Sequence, residues 1–81
     1  MNEFRSKCKE NGIERLNTVY ATVCDFNSKG TYVQIDGTDF ISYFEGGTAK
    51  RGSKVLIRID GISEKLERIY SSLDSVTEYA A

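Results

Sequence analysis

Residues 31–44, which read TYVQIDGTDFISYF, decide the fold. Val33 and Ile35 share one face of this stretch and Tyr32 lies on the other, a period of two that is typical of a half-buried β-strand. Asp36-Gly37 follows and predicts a type I′ turn, which needs positive φ at both central residues. Because the chain then runs on through more aromatic and β-branched residues, the sequence predicts a β-hairpin.

Further strands surround this hairpin in the sequence. Including its returning arm, they are predicted at residues 18–26, 39–44, 54–59 and 68–73, where apolar residues alternate with polar ones. The last eight residues fit either an extension of the fifth strand or a frayed helical turn. Five short strands predict an all-β domain built as a small closed barrel, of the OB type or SH3-like, because closure removes exposed strand edges.

A short helix is predicted ahead of the strands, over residues 2–11. Asn2 is a good residue to cap its start, and Asn11-Gly12 is a good left-handed stop. A helix of this length must dock on another element to persist. We therefore divide the chain into an N-terminal helical extension, residues 1–15, and one barrel domain, residues 16–81.

Composition argues against catalysis and cofactor chemistry. The 81 residues include no histidine, which is the usual general base near neutral pH and the commonest metal ligand. Cys8 and Cys24 form no CxxC pair and are expected to be free thiols. We therefore expect a protein that is not an enzyme and needs no cofactor or metal.

The chain also lacks the marks of membrane insertion or export. It contains no apolar stretch as long as a membrane span, and its first residues do not resemble a signal peptide. A cytoplasmic protein with no membrane partner is therefore expected. The net charge of −1 further indicates that it is not a polycation held on nucleic acid by bulk electrostatics.

Several short motifs follow one another in a familiar order. They are DF at 25–26, GTYVQI at 30–35, DG at 36–37, FISY at 40–43, GSKV at 52–55 and RIYSS at 68–72. In this order they resemble the S1-type RNA-binding domain, an OB-fold module repeated in the largest protein of the bacterial small ribosomal subunit. The resemblance implies an OB-fold barrel that binds RNA and acts in translation.

The resemblance also implies a binding site for single-stranded RNA across the outer face of the second and third strands. Phe26 and Tyr32 would stack on bases, Ser42 takes the place of a histidine frequent in the family, and Arg68 matches the family's arginine. Three more cations are expected near the phosphates: Lys29, Lys54 and Arg58.

Tyr20 is read in two ways. The alternation of its own strand places it outside the barrel, whereas the family pattern places it inside. A bulge in the first strand would reconcile the two readings.

We therefore expect a weak, sequence-tolerant binder of single-stranded RNA, with the ribosome or another RNA-associated protein as a further partner. Two stacked rings supply about 2–6 kcal/mol, whereas micromolar affinity needs about 8 kcal/mol. The alternative is an OB-fold module that binds protein and no nucleic acid. Its near-zero net charge and the acidic last third of the chain favour that alternative.

Overall fold

A computed structural model describes residues 3–47 and 49–81. They form helix α1 (Phe4–Glu10) and strands β1 (Thr18–Phe26), β2 (Gly30–Ile35), β3 (Ile41–Glu45), β4 (Lys54–Ser63) and β5 (Arg68–Glu78). The strands close into a barrel in the order β1-β2-β3-β5-β4. The predicted class, a small five-stranded barrel of the OB type with a short N-terminal helix, is confirmed.

The predicted hairpin forms between β2 and β3, but its turn is not of type I′. Gly37 has a φ of 76°, whereas Asp36 lies outside the positive-φ region. The Thr38 backbone N–H donates to the Ile35 carbonyl at 3.1 Å, and the Thr38 hydroxyl donates to the same oxygen at 2.8 Å. One positive φ at the third turn position is the arrangement of a type II turn.

The last two strands are longer than predicted and form one extended pair. β4 continues to Ser63, and β5 continues to Glu78, which pairs with Lys54. Of the two readings of the C-terminal residues, the strand extension is therefore confirmed. Three register shifts interrupt this pair, and one of them places Asp60 at a bulge between Ile59 and Gly61.

The barrel is filled by the apolar side chains that alternate along its strands. Those less than 4 % exposed on the strands are Ala21, Val23, Val33, Ile35, Phe44, Val55, Ile57, Ile59 and Ile69. The N-terminal segment adds Cys8 and Ile13 to the same core, both fully buried, while the ring of Phe4 meets that of Phe40 at 5.7 Å. Asn2, the expected cap of the helix, lies outside the described residues.

A bulge in β1 changes which side chains face outward near the end of that strand. Val23 pairs with Val33, but the next pair joins Asp25 to Tyr32, so Cys24 is the additional residue. Tyr20 lies before the bulge and is 60 % exposed. Its outward placement is therefore confirmed, and its placement inside the barrel is wrong.

Candidate nucleic-acid interface

Three tyrosines lie side by side on the outer surface of three neighbouring strands. Tyr32 on β2 pairs with Tyr43 on β3, and Tyr43 pairs with Tyr70 on β5. The rings of Tyr32 and Tyr43 are 5.1 Å apart and tilted by 53°, while Tyr32 and Tyr70 are each 38 % exposed. We call these three residues the tyrosine row. Strand spacing of about 4.8 Å makes the row about 10 Å long.

Gly30 makes room for the central ring of the row. A Cβ atom at this position would lie 2.5 Å from the Tyr43 hydroxyl oxygen and 2.6 Å from its Cε1 atom. The ring of Tyr43 therefore leans across β2 and covers Gly30. The glycine of the Gly-x-aromatic motif at residues 30–32 therefore has a steric role. A side chain at this position would displace the ring of Tyr43 on the neighbouring strand.

A shallow groove of about 420 Å³ runs along the tyrosine row. Besides the three tyrosines, its walls include Ile41, Glu67 and Arg68. A second groove of about 520 Å³ shares Tyr43 and Tyr70 with the first and continues between β3 and β5. We call this second one the β3–β5 groove. Flat rings, an apolar wall and a cation thus lie together on one outer surface.

Three of the seven site residues predicted from the sequence line this groove, namely Tyr32, Ser42 and Arg68, although the Ser42 side chain is buried. Tyr32 is part of the tyrosine row, and Arg68 lines the groove beside it. Lys29 lies in the turn between β1 and β2, where its carbonyl accepts from the Gly46 backbone N–H. Among the described residues, neither Arg68 nor Lys29 has a carboxylate within 4.0 Å. Both cations are therefore available to an anionic ligand.

Lys54 and Arg58 lie elsewhere, on β4, and each has an acidic neighbour. The Lys54 ammonium donates to the Thr22 hydroxyl at 2.7 Å and lies 3.5 Å from the Asp36 carboxylate. The Arg58 Nε donates to Asp60 at 3.2 Å. The RNA was expected on β2 and β3. Both cations lie on β4 instead, which pairs with β1 and β5 and with neither of those two strands.

The structure does not place Phe26 beside Tyr32. Because of the bulge at Cys24, Phe26 pairs with Thr31, and Asp25 takes the position next to Tyr32. Phe26 remains 53 % exposed at the end of its strand. The expected pair of neighbouring rings on β1 and β2 therefore does not form, and the neighbouring rings on the outer surface are instead the tyrosines of β2, β3 and β5.

Ser42 is buried, so its expected place on the outer face is wrong. It is only 1 % exposed, its hydroxyl donates to the Ile69 carbonyl at 3.1 Å, and its oxygen lies 2.7 Å from that of Ser71. Side chains alternate along a strand, so the outward position belongs to Tyr43, one residue later. These hydrogen bonds of the buried serines connect β3 to β5 on the inside of the barrel.

Sequence reasoning missed Tyr43 and Tyr70 as site residues. The alternation of inward and outward side chains along each strand could have identified them. Tyr43 lies between Ser42 and Phe44, and Tyr70 lies next to Ile69. The neighbours are buried and the tyrosines therefore point outward. Their assembly into one row depends on the parallel pairing of β3 with β5, which no local pattern indicates.

Two carboxylates near this surface are held in their charged form. The Ser72 hydroxyl and Arg58 donate to Asp60 and lower its pKa, and the Phe26 backbone N–H and Arg51 do the same for Asp25. Arg51 lies 3.1 Å from Asp25. The carboxylate next to Tyr32 thus has its own counter-ion, which reduces its repulsion of phosphate.

The lowered pKa of Asp60 predicts a stability that decreases in acid. Its carboxylate stabilises the fold above the pKa of an unfolded aspartate, about 3.9, and this contribution is lost as the pH falls through the lower folded value. Asp60→Asn should therefore be slightly less stable than the parent at pH 7, and the difference should be smaller near pH 2. Urea unfolding at both values measures it. An unchanged difference at the two pH values would contradict this assignment.

Among the described residues, 3–47 and 49–81, no group of three histidine, cysteine, aspartate or glutamate side chains lies close enough together to hold a metal ion. Cys8 and Cys24 are both free thiols. Over the same residues, no helix is both long enough and apolar enough to cross a membrane.

Comparison with known proteins supports the fold. Neither protein-family models nor curated protein sequences match this chain. Among solved structures, a protein chain in the crystal structure of the a/eIF2alpha-aDim2p-rRNA complex from Pyrococcus horikoshii OT3 is similar, with a TM-score of 0.66 at 20 % identity. The match covers 74 % of this chain and 44 % of that one, so this chain spans less than half of its neighbour's length.

Proposed function

We propose that this chain is an S1-type RNA-binding module, which binds single-stranded RNA weakly and with little sequence preference. Bases stack on the tyrosine row, while Arg68 and Lys29 contact phosphates. The observation that carries this proposal is the row itself, three tyrosines on adjacent strands of the outer surface. Every base has a π face, so a platform of rings tolerates any sequence.

The energetics favour weak binding. Stacking is worth about 1–3 kcal/mol per base, so three bases supply about 3–9 kcal/mol, near the roughly 8 kcal/mol that micromolar affinity requires. Tyr32 and Tyr43 already pack on each other, which leaves less ring surface for bases. Two cations add phosphate contacts, and Glu67 in the groove wall opposes them. A second domain or partner would raise the effective concentration of the RNA.

The structural neighbour supports the proposal of an RNA ligand, since its complex contains rRNA and a protein described as a/eIF2alpha. The order of the sequence motifs between residues 25 and 72 is a separate support, because it resembles that of S1-type domains. On these grounds we propose a translation-related, cytoplasmic role, with the ribosome or another RNA-associated protein as a partner. The module is proposed to bind RNA and to catalyse no reaction.

Titration of the ¹⁵N-labelled protein with a short oligo-U at low salt tests the proposal. The amides of Tyr32, Tyr43, Tyr70 and Arg68 should shift, and that of Lys50, in the loop between β3 and β4, should stay in place. With two phosphate contacts on a single strand, log K should fall with log salt with a slope near about −1.4. An absence of shifts at millimolar oligonucleotide would rule the proposal out.

A further inference from the structure

A third groove lies between helix α1 and the end of β4, apart from the tyrosine row. It encloses about 570 Å³, and we call it the helix groove. Its walls consist of Arg5, Lys9, Ile13, Glu14, Arg15 and residues 60–62. No aromatic side chain is among these lining residues, so the groove offers charge and no stacking platform.

Three cations and two acids line the helix groove, and one cation is already paired. Arg5 lies 3.4 Å from the Glu64 carboxylate and donates from Nη2 to the Ile62 carbonyl at 3.3 Å. Lys9 and Arg15 have no carboxylate within 4.0 Å among residues 3–47 and 49–81. The groove therefore presents two cations that the described fold leaves unpaired.

The acids of the helix groove are Glu14 and Asp60. Asp60 accepts from the Ser72 hydroxyl and from Arg58, so its charge is largely met within the fold. The positive charge of Arg15 also contributes to lowering the pKa of Asp60. Glu14 is the remaining acid, against the two unpaired cations.

Asp60 connects the helix groove to the proposed RNA surface. It lines the helix groove and also the β3–β5 groove, which contains Tyr43 and Tyr70. The β3–β5 groove, which shares Tyr43 and Tyr70 with the groove along the tyrosine row, therefore adjoins the helix groove at Asp60.

We infer that the helix groove binds the phosphate backbone of RNA that extends beyond the tyrosine row. This inference rests on the proposed function. Lys9 and Arg15 contact phosphates, and the absence of rings in the groove walls makes the contact independent of base identity. A chain of about four nucleotides covers the row alone, whereas one of about ten also reaches the groove.

The test compares the two RNA lengths in a matched pair of variants. In Lys9→Ala/Arg15→Ala, affinity for a ten-nucleotide oligo-U should fall about tenfold, and its salt slope should become shallower by about 1.4. Affinity for a four-nucleotide oligo-U should be unchanged. Lys7→Ala/Lys50→Ala is the control, because it removes the same number of positive charges from residues that line none of the three grooves, and Lys7 occupies the same last helical turn as Lys9. Far-UV circular dichroism confirms that the variants retain their fold.

The outcomes separate this inference from the proposed function. If both lengths bind the parent and the double variant matches it on the longer one, the helix groove is not part of the footprint. An equal loss on both lengths would likewise overturn the inference, because it would indicate a general charge effect. If neither length binds the parent, the proposed function fails and the inference fails with it.

Discussion

Tyr32→Ala/Tyr43→Ala is expected to weaken the binding of a short oligo-U by about 2–6 kcal/mol, which would place it beyond detection at micromolar protein. The two rings lie on the same outer surface with their centroids 5.1 Å apart, and we propose that each stacks on a base. Because both side chains point away from the core, the barrel should remain folded. Fluorescence anisotropy of a labelled oligonucleotide measures the loss.

The matched control removes two tyrosines that lie outside the row. Tyr20 and Tyr79 are 60 % and 72 % exposed, more than either exposed member of the row. Tyr20→Ala/Tyr79→Ala should therefore leave the affinity close to that of the parent. An equal loss in the two double variants would mean that tyrosine content, and not the row, accounts for binding.

Gly30→Ala should destabilise the protein by about 3 kcal/mol. The new Cβ atom would lie 2.5 Å from the Phe44 carbonyl oxygen and 2.5 Å from the Tyr43 hydroxyl. The tyrosine ring can rotate away, but the carbonyl belongs to the paired strand. The β2–β3 pairing must therefore shift near Gly30, and chemical denaturation measures the cost.

Gly61→Ala is the control for this substitution. Gly61 also lies in a strand and has no positive φ, and a methyl group on its Cα would meet no atom of the described residues within 4 Å beyond its own chain neighbours. Its replacement should be near neutral, because alanine loses less backbone freedom on folding than glycine. Equal stabilities for the two alanine variants would show that the close approach at Gly30 does not constrain the barrel.

Measuring the cost of Gly30→Ala in a Tyr43→Ala variant separates the contributions of the two close contacts at this position. In Tyr43→Ala the ring is absent, and only the Phe44 carbonyl remains close to the new methyl group. Gly30→Ala should still be destabilising in that background, though less so than in the parent. A complete recovery would assign the whole effect to the ring of Tyr43.

Alternation along the chain was sufficient to predict the strands of the barrel, because most of their inward-facing side chains are apolar. The first strand was predicted with the bounds it has, Thr18–Phe26, and the hairpin follows from residues 31–44. The turn type was not predictable from Asp36-Gly37 alone. In this turn the Thr38 hydroxyl donates an additional hydrogen bond to the Ile35 carbonyl, which favours the type II geometry over type I′.

The site was harder to predict than the fold, because it depends on pairing between distant strands. A one-residue bulge at Cys24 is enough to separate Phe26 from Tyr32. Ser42 was assigned by its place in a family pattern, and its neighbour Tyr43 holds the outward position instead. Tyr70 joins the row only through the parallel contact of β5 with β3.

Nuclear Overhauser contacts between tyrosine ring protons and uracil base protons test the central claim most directly. In a saturated complex with a short oligo-U, we expect such contacts from Tyr32, Tyr43 and Tyr70 and none from Tyr20 or Tyr79. Contacts that come only from tyrosines outside the row, or from none at saturation, would contradict the proposal that bases stack on this surface.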